Sequence, residues 1–411
     1  MDRVLVRLPS VAMKLDLLHG AVLEDRGPRH VKPAFSQLDT VSLELDDTER
    51  KRLEGMGARV YDNVEFKITP ASGSPDPSSS RWSATAGGSQ STLSLADVTD
   101  HIKAPGAWTV TRGKGATIVV VDTGIDAGLR EIAPARRSAI DLDTTHKGQH
   151  WIDSVGHGSM CAAIAAGARR PDGRYDGVAP EATILSARTT FMSDDLFEIY
   201  DELVRTRAQG LLPGPLVVSN SYALYVCHAP QVLPKDHPFI GSILALIEAG
   251  AFVCFAAGNN HHDVLCKHDP AACGPNTIWG PNSHDRVVSI GTVNREETNR
   301  DPSTPHVNSS RGPGEWAQDR LKPDCVAPTY GEVPWGAGYQ TMDWWGTSGA
   351  CPQVAGLAAL LFSVAPRLSP QAVADIILKT CVRLPDSRTC VGHGMIDCEA
   401  ALQAALSAPT V

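Results

Sequence analysis

The sequence predicts an α/β fold, a three-layer parallel sheet flanked by helices, preceded by a small α+β domain. Three observations lead there. From residue 96 onward, near-continuous apolar runs at 116–121, 183–186, 216–219, 251–256 and 287–292 read as strands buried on both faces. Helical stretches at 158–168, 196–209 and 240–249 fall between them, the alternation a parallel sheet requires. Upstream, residues 70–95 are rich in Pro, Ser, Gly and Thr, a linker composition that sets residues 1–69 apart.

The elements follow in order. The chain opens on a strand-like alternation from Met1 to Pro9 and continues into a polar loop rich in Arg, His and Pro. Residues 41–45, Val-Ser-Leu-Glu-Leu, alternate as a half-buried strand. Asp46-Asp47-Thr48-Glu49 offers a helix start, because acids suit the positive end of a helix dipole. That helix carries Leu53 and Met56 and ends near Gly57, and a last strand at 58–61 completes the unit. In the linker at 70–95 small residues invite a proteolytic cut. The third division, residues 96–411, holds the sheet, and sites in such sheets gather at the carboxyl ends of the strands.

Composition narrows the function classes. The chain has 411 residues, 42% hydrophobic and 20% charged, ordinary for a globular protein. Its formal net charge of −9 speaks against a general nucleic-acid binder. We read no apolar run of the ~18–20 residues a membrane helix needs, so no membrane partner is expected. The first residues lack the apolar core of an export signal, which points to the cytoplasm. Ten cysteines include Cys161, Cys254 and Cys351 in apolar surroundings, expected as buried free thiols. Cys266 with Cys273, and Cys381 with Cys390, each have the spacing to close a short loop in an oxidising setting, although reduced thiols are favoured. No Cys-x-x-Cys argues for a metal site.

Four segments carry chemistry. Asp122 ends the run Val119-Val120-Val121-Asp122-Thr123-Gly124, His157 lies in Gly156-His157-Gly158-Ser159, and Ser348 opens a small-residue helix in Gly346-Thr347-Ser348-Gly349. A serine hydroxyl needs a base to remove its proton, and His157 is the candidate. Asp122 would orient the imidazole and stabilise its charged form. Asn259, in Phe255-Ala256-Ala257-Gly258-Asn259, would donate to the oxyanion. Each motif alone has a plain structural reading as a turn, a loop or a strand end. Together, in the order Asp, His, Ser, they follow the order of subtilisin.

On these residues the chain resembles the subtilisin-like serine peptidases, the subtilases, from about residue 95 to 405. Ser309-Ser310-Arg311-Gly312-Pro313, Leu321 to Pro328 and Gly392 to Asp397 add to the likeness. The resemblance implies a serine endopeptidase working through an acyl-enzyme, with Asp122, His157 and Ser348 as triad. It implies that Ser221, Tyr222 and Ala223 pair with an extended protein or peptide substrate, and that Ala256, Ala257 and Gly258 line the pocket before the scissile bond. The strand–helix–strand pattern that ends residues 1–69 also resembles a subtilase propeptide, an intramolecular inhibitor or folding chaperone in a self-processing zymogen; the alternative is a plain structural N-terminal extension. No cofactor is required for such chemistry; a structural calcium is compatible with the family, and the metal ligands stay unknown.

The chain departs from the family at Gly349, where methionine is usual, at Gln353, where histidine is frequent, and at Ala223, where glycine is usual. Cys161 lies one helical turn beyond His157, as in relatives resembling proteinase K, and reads either as a reactive thiol or as a small buried hydrophobe. Two alternatives share the motifs: a dedicated maturation protease or peptide ligase for one partner peptide, and an inactive subtilase-like binding module.

Overall fold

The computed structural model describes residues 2–18, 32–68, 93–144, 147–168, 173–227, 232–262, 266–294, 304–317 and 319–408. The N-terminal unit contains β1 (Asp2–Arg7), α1 (Val11–Leu18), β2 (Lys32–Pro33), β3 (Thr40–Leu45), α2 (Asp47–Gly55) and β4 (Arg59–Tyr61). Its strands form an antiparallel sheet in the order β2-β3-β1-β4, with Asp2 opposite Leu45 and Leu5 opposite Tyr61. The period of two explains its two faces. Val4 and Val6 join Val41, Leu43, Leu45 and Leu53 in a small core, while Leu5 and Tyr61 point the other way. Helix α2 starts where expected, closed by a reciprocal cap between Asp46 and Glu49. Helix α1 corrects the reading of a polar loop after the first strand. Its buried members are Lys14, whose ammonium donates to the Ala34 carbonyl at 2.9 Å, and Leu17. The rest of that expected loop, 19–31, lies outside the described residues.

The larger unit contains α3 (Leu95–His101), α4 (Ala104–Trp108), β5 (Thr117–Asp122), α5 (His157–Ala166), β6 (Thr183–Arg188), α6 (Ser193–Ala208), β7 (Leu216–Asn220) and α7 (Pro238–Glu248). It continues with β8 (Ala251–Ala256), β9 (Val288–Val293), β10 (Cys325–Pro328), β11 (Gly331–Trp335), β12 (Gly338–Met342), α8 (Gly346–Val364), α9 (Pro370–Thr380), α10 (Arg388–Val391) and α11 (Cys398–Leu406). Six strands form a parallel sheet in the order β10-β9-β8-β7-β5-β6. Along β5, Ile118 and Val120 join the core under α3, α4, α5, α8, α9 and α11, while Val119 and Val121 join the core under α6 and α7. Both faces are covered, which is why these strands read as continuous apolar runs.

The sequence reading missed β10 and the antiparallel pair β11–β12. β10 is four residues long, and the hairpin carries Pro334 and the polar Gln340, which break the apolar pattern. The linker expected at 70–95 falls largely outside the described residues; Ser94 bridges to Glu332 as α3 begins at Leu95.

Two further corrections concern α8 and the cysteines. Helix α8 has 19 residues and reaches membrane-spanning length with mean hydropathy 1.3, yet 89% of that stretch is buried inside the protein. It is the central helix of the core. Disulfides join Cys227 to Cys266 and Cys273 to Cys390, where reduced thiols were favoured and the oxidised alternative was two short loops, Cys266–Cys273 and Cys381–Cys390. The partners lie 39 and 117 residues apart, so only the tertiary fold brings them together. Cys161, Cys254 and Cys351 are free and buried, as expected.

Candidate active site

Three elements converge at the carboxyl end of the sheet. Asp122 is the last residue of β5, His157 the first of α5, and Ser348 stands in the first turn of α8. The glycine after His157 has a steric reason. A Cβ at Gly158 would collide with the Gly124 carbonyl, so only glycine lets α5 approach the Asp-Thr-Gly turn this closely.

His157 Nδ1 donates to Asp122 Oδ1 at 2.7 Å, and the same oxygen accepts the Thr123 amide at 2.8 Å. Both side chains are buried, at 5% and 0% exposure, where a charged hydrogen bond is strong. Burial works against the imidazolium, but the Asp122 charge and hydrogen bond, with the charge of Asp153, outweigh it. The His157 pKa therefore lies above its ordinary 6.5. His157 Nε2 has no partner among the described residues, and Ser348 Oγ donates instead to the Ser221 carbonyl at 3.3 Å. The serine is in turn clasped from the other side, its carbonyl accepting Ser221 Oγ at 2.9 Å.

Asp153 is a residue beside the triad candidates that the sequence reading missed. Its carboxylate is 7% exposed. Oδ1 accepts the Val155 and Gly156 amides and Thr123 Oγ1, and Oδ2 accepts the Ser159 amide and hydroxyl, all between 2.7 and 3.1 Å. It thus caps the amino end of α5 and ties that end to the turn after Asp122. The available signal was an acid four residues before His157, immediately ahead of a small-residue helix.

Asn259 sits beyond the carboxyl end of β8. Its Oδ1 accepts the Thr347 amide and hydroxyl at 3.0 and 2.9 Å, which fixes the amide plane beside Ser348. Gly346 adopts a φ of 70°, and a Cβ there would stand 3.0 Å from Asn259 Nδ2. The two departures on α8 have packing reasons. At Gly349 a Cβ would meet Trp345 Cβ at 2.8 Å, so Trp345 takes the room of a larger residue. Gln353 donates to the Pro328 and Gly349 carbonyls at 2.7 and 3.0 Å and is a buried strut.

Ser221, Tyr222 and Ala223 follow β7 and are buried, and Ala256, Ala257 and Gly258 line the end of β8 beside them. The Gly258 amide donates to Thr347 Oγ1 at 3.2 Å, and the Ala256 carbonyl accepts Asn282 Nδ2 at 2.7 Å. The edge at Ala223 is occupied by the N-terminal unit. Lys67 and Ala223 exchange both backbone hydrogen bonds, at 3.0 and 3.1 Å, and the Phe66 amide donates to the Phe191 carbonyl at 2.9 Å. The Phe66 ring is 1% exposed and meets Tyr222 and Phe239 edge to face. Ala223 thus tolerates a peptide alongside it despite its methyl group.

Cys161 donates to the Ser348 carbonyl at 3.6 Å, and burial pushes its thiol pKa well up, which favours the reading as a small buried group. Among the described residues, Asp122, His157 and Cys161 form one group of metal-capable atoms, all within 4.8 Å. Calcium takes six to eight oxygen ligands, and one carboxylate beside an imidazole and a thiol does not supply them.

The profile of the subtilase family matches residues 113–395. Serine protease AprX of Bacillus subtilis is 28% identical over 296 residues, covering 64% of this chain and 61% of that protein. A calcium-dependent protease of Trichormus variabilis is 26% identical over 327 residues, covering 72% of this chain and 46% of that protein. The match therefore spans less than two thirds of either relative. The crystal structure of MycP1 with its N-terminal propeptide removed superposes with a TM-score of 0.56 at 24% identity, covering 75% of this chain and 98% of that one, a likeness of fold.

Proposed function

The chain belongs to the subtilase family, and we propose that it is a serine endopeptidase acting through an acyl-enzyme on Ser348. The observation that carries this reading is the His157–Asp122 pair at 2.7 Å beside a serine at the amino end of α8. For attack, Ser348 Oγ turns from the Ser221 carbonyl towards His157 Nε2 and gives it its proton as the new C–O bond forms. Asp122 holds the imidazole by Nδ1 and stabilises the charge it gains. Asn259 and the Ser348 amide receive the oxyanion, and His157 then passes its proton to the leaving amine as the C–N bond breaks. Water, with His157 again the base, releases the acyl group.

Substrate would lie along Ser221-Tyr222-Ala223 as an added antiparallel strand, with Ala256, Ala257 and Gly258 walling the pocket before the scissile bond. Residues 1–69 serve as an intramolecular inhibitor, and maturation cuts the 70–95 linker. The support is the Lys67–Ala223 pairing, which puts the N-terminal unit on the edge a substrate would use. The pairing is antiparallel, as for an added substrate strand. A named calcium-dependent relative leaves a structural calcium open, outside the triad. The two disulfides support an oxidising compartment, a departure from the cytoplasm expected from the first residues.

Intact-mass measurement of wild type beside Ser348→Ala, followed by fluorophosphonate labelling, tests the reading. Wild type is expected to lose about its first 70–90 residues, a cut estimated from linker composition, and to take the label. The variant stays whole and unlabelled. Wild type that refuses the label makes the chain a binding module. Labelling without casein hydrolysis makes it a dedicated maturation protease or ligase.

A further inference from the structure

At the opposite end of the sheet lies a cleft of about 630 Å³. It opens where β7, β8 and β9 begin, at Pro215, Gly250 and Val288, so it stands a full strand length, about 20 Å, from Ser348. The size falls within the range of small-molecule sites. Its floor is apolar, with Phe252 and Phe362 among the lining, and its rim carries Arg207, Arg286, Arg320 and Arg367.

The charges there are not matched. Arg320 is paired, with Asp375 at 3.3 Å and Asp324 at 3.9 Å. Arg207 is half-buried and donates only to carbonyls, those of Ala249, Leu212 and Gly214. Arg286 and Arg367 are exposed and form no guanidinium hydrogen bond or ion pair with the described residues. Glu248 is the one acid in the lining, and it makes no ion pair with the described residues. Three guanidinium charges thus face one carboxylate, in a chain whose formal net charge is −9. The amino end of α9, 11 residues long with no acid in its first turn, points its dipole at the same space through Ser369, Pro370 and Gln371.

We infer that this cleft binds a small molecule bearing two or more linked phosphates, held by Arg207, Arg286 and Arg367 at the amino end of α9. Guanidinium forks match phosphate oxygens in pairs. Several of them around a volume this large suit a di- or triphosphate better than a single phosphate, and the apolar floor accommodates an attached base. Inorganic pyrophosphate and a nucleoside diphosphate are the two sources of that head group. The inference is independent of the proposed peptidase activity.

Calorimetric titration of the full chain with pyrophosphate, ADP, adenosine and sulfate at matched ionic strength tests it. Saturable one-site binding of pyrophosphate or ADP, with adenosine and sulfate inert, is expected. Tighter binding of ADP assigns the floor to the base, and equal binding assigns the site to the phosphates. Arg286→Glu with Arg367→Glu is expected to weaken binding about 100-fold or more. The milder Arg286→Ala with Arg367→Ala gives the same direction, with the unliganded melting point of both variants as the folding control. Absent binding of pyrophosphate and ADP, an equal response to sulfate, or unchanged affinity in well-folded variants overturns it.

Discussion

The six-stranded sheet covers both of its faces with helices of its own unit, whereas the four-stranded sheet covers one face itself and lays the other on α6 and α7. Leu5, Tyr61 and Phe66 belong to the larger unit's core by burial, although the chain places them in the smaller one. Polar contacts run the same way. Arg3 pairs with Asp194, Asp195 and Glu198, and Asp201 accepts the Phe35 and Ser36 amides at 2.6 Å each. The larger unit thus covers its own sheet, while the smaller one relies on a partner surface to bury the second face of its sheet. The inhibitor role proposed above for residues 1–69 requires that asymmetry.

The largest expected break in the comparison separates chemistry from packing. Ser348→Ala should cost on the order of 10⁶ in kcat, a magnitude borrowed from subtilisin itself, while melting point and docking of the N-terminal unit hold. A comparable loss of stability would mean that the serine is structural. Next comes the seam between the sheets. Phe66→Ala empties a fully buried site and should cost about 3–5 kcal/mol of docking, read as dissociation of the N-terminal fragment after the linker is cut. If fragment affinity is unchanged, the smaller sheet stands on its own.

A smaller effect is expected from Arg3→Glu. It replaces three attractive contacts with repulsion at a partly exposed site, about 1.5–3 kcal/mol, and makes fragment release faster at low salt than at high salt. Salt-independent release would assign the seam to apolar contacts alone.

The finest test lies wholly within the larger unit. The base must be neutral, so activity should rise with pH through an inflection above 6.5, because the His157 pKa is raised. Asp153 contributes to that rise. In Asp153→Asn the inflection should move to lower pH, and the pH profile of kcat/KM reads it. An inflection that stays put would limit Asp153 to capping α5.

Much of this was legible because it is local. Asp122, His157, Asn259 and Ser348 each lie at, or within three residues of, the end of an element whose apolar or small-residue run is plain in the sequence. The helix at Asp46–Glu49 was readable because a capping box spans only four residues. Asp153 was missed because its value comes from donors gathered from two segments, Thr123 and 155–159. Phe66 was missed because a single aromatic before a linker carries no period.

By itself the sequence determined the parallel sheet, the order of its elements and the residues offered for the triad, since strand and helix patterning is written in neighbours. Tertiary structure alone decided which cysteines meet, that α8 lies in the core rather than in a membrane, and which edge the segment Glu65–Lys67 occupies. It alone gathered Arg207, Arg286 and Arg367 around one cleft. These outcomes depend on contacts between residues far apart in the chain, and the free energy of such contacts exists only once the intervening loops have closed.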